Sequence, residues 1–261
     1  MQNRSLFRSL AAAIGGFALA LLSGCGTVNP NMAVGTALSG NWSFASANNA
    51  AILNTGFTQG AYETVSAVAR LNGVSCVSPS TDILLTGSVT ATNQMTLVSA
   101  PFSGTVLTLK GDVAADGKGI ADASWNFAGG NCAALGSASV TATAYSDIAG
   151  TYSGSFTDAG GNPLAVSAFL QETTQPNQDG QFSLSGTASF PPNTCFVDQP
   201  TMTQSMVTGN LLSMTYTDPG SGAVLTASGT LNSAATQLTI SSWSIAGGSC
   251  DGDSGTGTLT E

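Results

Sequence analysis

The chain carries 14 acidic and 5 basic residues, 5 cysteines and no histidine. Without an imidazole, Ser-His-Asp catalysis, Cys-His catalysis and histidine-ligated metals are all excluded. A pair of carboxylates could still cleave a glycoside. The acids of the C-terminal half, Asp158, Glu172, Asp179, Asp198, Asp218, Asp251 and Asp253, sit at no telling spacing and read as turn residues. Asp251-Gly252-Asp253 could offer alternate carboxylates to a hard cation, but the acidic residue that would complete such a loop would fall beyond Glu261. Lys110 and Lys118 flank expected turns or strand ends, which sets Ser-Lys chemistry aside, and Gly129-Gly130 precedes Cys132 rather than opening a helix, so it is no phosphate loop. The expectation is therefore a protein that is not an enzyme, with no cofactor and no metal. Trp125 and Trp243 are the candidate ligand-binding residues, because indole faces bind sugars and apolar molecules; packing in a core is the competing role.

The N-terminus carries a different chemistry. Arg4 and Arg8 precede an apolar run from Leu10 to Leu22, and no acid occurs in the first 24 residues. That is the layout of a secretory signal peptide, and the run is short for a membrane-spanning helix. It ends in Leu22-Ser23-Gly24-Cys25, which resembles the lipobox of bacterial lipoproteins. The resemblance implies cleavage before Cys25, a diacylglyceryl group on its sulfur and a fatty acid such as palmitate on the new amino terminus. Each buried methylene contributes about 0.8 kcal/mol, so several chains anchor far more firmly than one. Gly26, where an aspartate would resemble an inner-membrane retention signal, implies sorting to the outer membrane. Without the leader, 3 basic residues face 14 acidic ones, a net charge of −11, which disfavours nucleic acid as a partner.

Self-comparison divides the rest of the chain. Thr105–Thr143 superposes on Ala223–Glu261 without a gap, matching Val106-Leu107-Thr108 to Val224-Leu225-Thr226, Ser124-Trp125 to Ser242-Trp243 and Cys132 to Cys250. Small gaps extend the match to Cys76 and Cys195, and to Gly40-Asn41-Trp42 and Gly150-Thr151-Tyr152. The organisation expected is a leader over 1–24, the lipidated cysteine and a tether over 25–37, and two repeats over 38–146 and 147–261, with so little linker between them that they touch. Four cysteines besides Cys25 permit three pairings. Duplication selects Cys76–Cys132 and Cys195–Cys250, of nearly equal span, as disulfides formed in an oxidising periplasm.

Those residues need a scaffold, and the polarity pattern names its type. Val65, Ala67, Ala69 and Leu71 alternate with polar residues, as do Leu164, Val166, Ala168 and Leu170, at the period of half-buried antiparallel strands. Asp116-Gly117-Lys118-Gly119 and Asp158 to Asn162 read as hairpin turns. Leu238 and Ile240 differ in parity from Trp243 and Ile245, which places a β-bulge at Ser241-Ser242 and its equivalent at Ser124, or else buries both faces of the strand. The fold class expected is all-β: two tandem repeats, each a small antiparallel meander barrel or a sandwich of about seven to eight strands with one disulfide. The opening Gly-x-Trp of Gly40-Asn41-Trp42 is weakly similar to the first strand of lipocalin-like and avidin-like barrels, and tilts the choice towards a barrel. Function is expected to be that of a cell-envelope lipoprotein in the outer membrane, acting as a structural or protein-interaction module towards an envelope partner; the alternative is lipocalin-like binding of a small apolar ligand or sugar.

Overall fold

A computed structural model of the chain describes residues 37–60, 63–190 and 195–261. The leader, Cys25 and almost all of the expected tether lie outside the described residues.

The first repeat contributes β1 (Gly40–Ala45), β2 (Ile52–Gln59), β3 (Thr64–Asn72), β4 (Ile83–Val89), β5 (Gln94–Ser99), β6 (Val106–Val113), β7 (Ile120–Ala128), β8 (Ser137–Ser139) and β9 (Thr141–Tyr145). Each strand pairs antiparallel with the next through β8. The last stretch breaks at Val140: β8 stays on β7, while β9 crosses to pair with β1. The Val140 amide still donates to the Ala123 carbonyl at the break. The meander thereby closes into a barrel of eight staves, and a sandwich is excluded.

The second repeat does the same with β10 (Ala149–Asp158), β11 (Pro163–Glu172), β12 (Phe182–Ser189), β13 (Thr201–Met202), β14 (Ser205–Thr208), β15 (Leu211–Thr217), β16 (Val224–Leu231), β17 (Gln237–Ala246) and β18 (Ser254–Thr260). Here the broken stave is the fourth, β13 with β14, between β12 and β15, and the ring closes through β10 and β18. Among the described residues, closure leaves no free sheet edge on either repeat. The expected turns are present: Asp116 accepts the Lys118 amide at 2.9 Å, and Asp158 accepts the Asn162 amide at 2.7 Å. Such caps hold the backbone of a tight hairpin without help from the core.

Inward parity fills both barrels with side chains. Trp42, Phe44 and Phe57 meet in the first, with ring centroids 6.0 to 6.5 Å apart. In the second, Phe156 stacks on Trp243 at 5.7 Å, and the Tyr152 hydroxyl donates to the Ala235 carbonyl at 2.6 Å. Trp42 and Tyr152, equivalent by duplication, are both buried.

The parity change in β17 is a bulge at the expected place. Ser241 and Ser242 both face solvent between buried Ile240 and Trp243, and the pairing to β16 and β18 shifts there. In β7 the bulge lies earlier than the expected Ser124: Ala121 and Asp122 are the consecutive exposed pair, with Asp122 at φ 48°. Asp122 cannot enter an apolar barrel, whereas Ala123 fits inside, so the extra residue is spent before Ala123.

Candidate functional site

The first two strands are buried on both faces, and the outward face explains the site. In β1, Trp42 and Phe44 point into the barrel while Asn41 and Ser43 point out, yet all four are buried. In β2, Leu53 and Phe57 are inward while Asn54 and Gly56 are outward and equally covered. The second repeat covers Asn41, Asn54 and Gly56, while Ser43 meets the Tyr145 hydroxyl of β9 at 3.0 Å. The Asn41 amide grips Gly209 through both of its atoms, Nδ2 donating to the Gly209 carbonyl at 2.9 Å and Oδ1 accepting the Gly209 amide. A Cβ on Gly56 would fall 2.8 Å from the Gly180 carbonyl, and one on Gly209 would fall 2.0 Å from Asn54 Oδ1. The turns of the second barrel, which glycine keeps slim, therefore rest directly on the wall of the first.

Between those contacts lies a cleft of about 180 Å³, lined from the first repeat by Asn54, Arg70, Asn72 and Pro79 and from the second by Gln181, Met206, Thr208, Leu211, Leu212 and Ser213. Asn54 is only 1% exposed. Its Oδ1 and the Nδ2 of Asn72 have no hydrogen-bond partner among the described residues. Leaving a buried polar atom unpaired costs about 1–3 kcal/mol, so two in one cleft are unusual in a wall that could have been apolar. Arg70 is held by Asp82, with Nε and a terminal nitrogen each 3.0 Å from the same carboxylate oxygen. The accessible lining of the cleft is thus mainly apolar, from Pro79, Met206, Leu211 and Leu212, and its one cation, Arg70, is paired.

A larger groove of about 570 Å³ runs outside β6, β7 and β8, where Lys110 faces Ser124 across the strand pair. Its polar lining comes from the outward rows of those strands, including Thr108, Asn126, Ser137 and Ser139.

The structure joins Cys76 to Cys132 and Cys195 to Cys250, with Cα separations of 5.2 and 5.1 Å, one disulfide to each barrel. Trp125 and Trp243 both belong to the cores, at 3% and 4% exposure. Trp125 meets Phe127 edge-on at 5.5 Å, and the Trp243 indole nitrogen donates to the Thr256 carbonyl at 3.0 Å. Asp251 caps a turn by accepting the Gly247 amide at 2.8 Å. Among the described residues, the three metal-capable groups that converge are Cys195, Cys250 and Asp253, and both sulfurs are consumed by the disulfide. The first repeat has Ala133-Ala134-Leu135 at the equivalent turn.

Two carboxylates have strong structural roles that spacing did not reveal. Asp218, fully buried, accepts the amides of Val197 at 2.7 Å, Asp198 at 3.1 Å, and Gly220 and Ser221 at 3.2 Å, together with the Ser221 hydroxyl. Burial pushes its carboxyl up, but the Ser221 hydroxyl and the Val197, Gly220 and Asp198 amides outweigh that and hold it down at about 2. In the first repeat a different tie holds the other end of the disulfide, the Thr105 hydroxyl donating to the Gly129 carbonyl and accepting the Cys132 amide. Replacing Asp218 with alanine strands several buried amides and is expected to destabilise the second barrel on the order of 3 kcal/mol. Chemical denaturation read by circular dichroism measures it; a loss no greater than that of an exposed Asp116→Ala control would contradict the role.

The second carboxylate, Glu172, shares the inward parity of Ala168 and Leu170. Its Oε2 accepts the Ile148 amide at 2.9 Å, and its own amide donates to the Ile148 carbonyl, so it clamps the short junction between the repeats. Oε1 is buried without a partner among the described residues. Burial pushes this carboxyl up to about 7; the Ile148 amide works against that and Asp147 adds to it.

No protein family and no curated protein matches the chain. Among solved structures it is similar to a redesigned β-barrel, mFAP1, bound to DFHBI, at 20% identity and a TM-score of 0.28 over 44% of this chain and 94% of that one. It is also similar to a protein of unknown function from the DUF3598 family of Nostoc punctiforme, at 12% identity and a TM-score of 0.21 over 88% of this chain and 96% of that one.

Proposed function

We propose that the protein is an outer-membrane lipoprotein, anchored through Cys25, that acts as a non-enzymatic structural or protein-interaction module of the cell envelope. The observation that carries the reading is the filling of both barrels. Where a carrier needs a hollow, Trp42, Phe44 and Phe57 meet in the first barrel and Phe156, Trp243 and Tyr152 in the second. Any partner is then met on the outside, along rows of Ser and Thr such as Ser228, Ser242, Thr226 and Ser244, whose hydroxyls pair across the strands. The absence of histidine and the turn-capping roles of Asp158 and Asp251 support a module without catalysis. The leader and Leu22-Ser23-Gly24-Cys25 support the address.

Native mass spectrometry of the full chain, expressed with its leader and released from detergent micelles, tests both halves of the proposal. The expected species begins at residue 25, carries the mass of a diacylglyceryl group and an acyl chain that Cys25→Ala removes, and has no other bound molecule. A chain left unacylated would overturn the anchor. An apolar molecule retained by the barrels through purification would replace the interaction module with a carrier.

A further inference from the structure

We propose that Glu172 is a proton-operated latch on the joint between the two barrels, closed while its carboxyl is neutral and released when it ionises. The joint is short, running from Ser146 to Ile148 between β9 and β10. Ile148 is fully buried in the second core, and both of its backbone groups go to Glu172: the amide to Oε2 and the carbonyl to the Glu172 amide, each at 2.9 Å.

The first barrel contains the same latch without the titratable group. Gly40 and Gly150 are equivalent by duplication and pair with Phe57 and Leu170. Two residues ahead of those glycines stand Leu38 and Ile148, both fully buried, and two residues beyond their partners stand Gln59 and Glu172. The Leu38 amide donates to the Gln59 side-chain oxygen, as the Ile148 amide donates to Glu172. A neutral amide therefore suffices to hold the entry to a barrel, and the carboxyl adds the capacity to ionise at the entry that joins the two.

Nothing around Glu172 compensates that charge. The titratable groups about it are Asp147 in the joint, Tyr152 on β10 and, beyond Tyr152, Glu261 after β18, none of them a cation; on β12 it pairs with Leu184. No Lys, Arg or His occurs from 147 to 261. Ionised in place, the carboxylate keeps the Ile148 amide but leaves Oε1 buried with no partner among the described residues. A buried charge with one donor is relieved by turning out to water, and that movement gives up Ile148. Burial outweighs the amide and sets the release at about pH 7.

Hydrogen–deuterium exchange of the full chain in detergent micelles, read by mass spectrometry and corrected for the intrinsic pH dependence of exchange, is the test. A peptide spanning the joint and the start of β10 is expected to exchange at least roughly tenfold faster at pH 8 than at pH 5. Peptides holding Leu38 and β16 are expected to stay protected over the same interval. Glu172→Gln, which copies Gln59, is expected to keep the joint closed at both values. The proposal is overturned if exchange at the joint is level across the range, if Glu172→Gln retains the acceleration, or if the peptide holding Leu38 accelerates equally. Loss of protection at the joint and in β16 together would also overturn it, because unfolding of the whole barrel would then carry the pH response.

Discussion

Removing the Cys195–Cys250 disulfide, by replacing both residues with alanine, is expected to cost about 4 kcal/mol, because the bond closes a loop of 55 residues in the unfolded chain. The Cys76–Cys132 bond closes 56 residues and is expected to be worth the same. Each joins the loop after the third stave of its barrel to the turn after the seventh, segments that no strand pairing connects. Melting temperature should fall on the order of 10 °C per bond removed. The two losses should add, since the bonds lie in separate barrels, whereas Cys195→Ala/Cys250→Ala and Asp218→Ala should not, since Asp218 fastens the amides of Val197 and Asp198 just beyond Cys195. Differential scanning calorimetry with and without reductant measures the effect. A fall of only about 2 °C would mean that the strand ladder alone holds the loops.

Raising the pH from 5 to 8 is expected to destabilise the native protein, and Glu172→Gln is expected to remove most of that loss. The folded carboxyl sits at about 7, above its value of about 4.3 in an unfolded chain. Between those values the folded state holds a proton that the unfolded state has released, so stability falls as pH rises through the window and is level above it. The difference is worth about 3 kcal/mol. Glutamine preserves the acceptor for the Ile148 amide and cannot ionise, so the variant should be the more stable protein at pH 8 and about equal at pH 4. Asp218 works in the opposite sense: held at about 2, it contributes stability above pH 4 that is lost as pH falls through its folded value. Urea denaturation midpoints taken at half-unit steps from pH 3 to 8 should therefore trace a maximum near pH 4 to 5 in the native protein. An unchanged slope in Glu172→Gln would assign the pH dependence elsewhere.

The barrels were legible because duplication and alternation reinforce one another. Trp125 and Trp243, seven residues ahead of Cys132 and Cys250, tie register to disulfide, and the parity slip at Ser241-Ser242 allows either a bulge or a strand buried on both faces, of which the fold takes the bulge. Alignment of the repeats carries the first bulge to Ser124, while the cost of burying Asp122 moves it upstream in the fold. The contact between barrels was legible only as an expectation of touching. Asn41, Ser43 and Asn54 occupy outward parity, and a polar residue there reads the same whether water or a second barrel lies over it. The cleft inherits that blindness, since its walls are far apart in the chain. Asp218 escaped because it acts on backbone amides, which no pattern of side chains displays.

The placement of each disulfide within its own barrel has a consequence for how the chain is made. A polypeptide appears from its amino terminus, and domains fold as they emerge. Cys76, Cys132 and β9, the closing stave, all precede Cys195. When the third of these cysteines becomes available, the first two can already be joined and enclosed in a finished ring, with Cys132 wholly buried. Mispairing between the halves is thereby discouraged by the order of appearance, and a near-identical pair of cysteine loops can share one chain without an editing step to sort them.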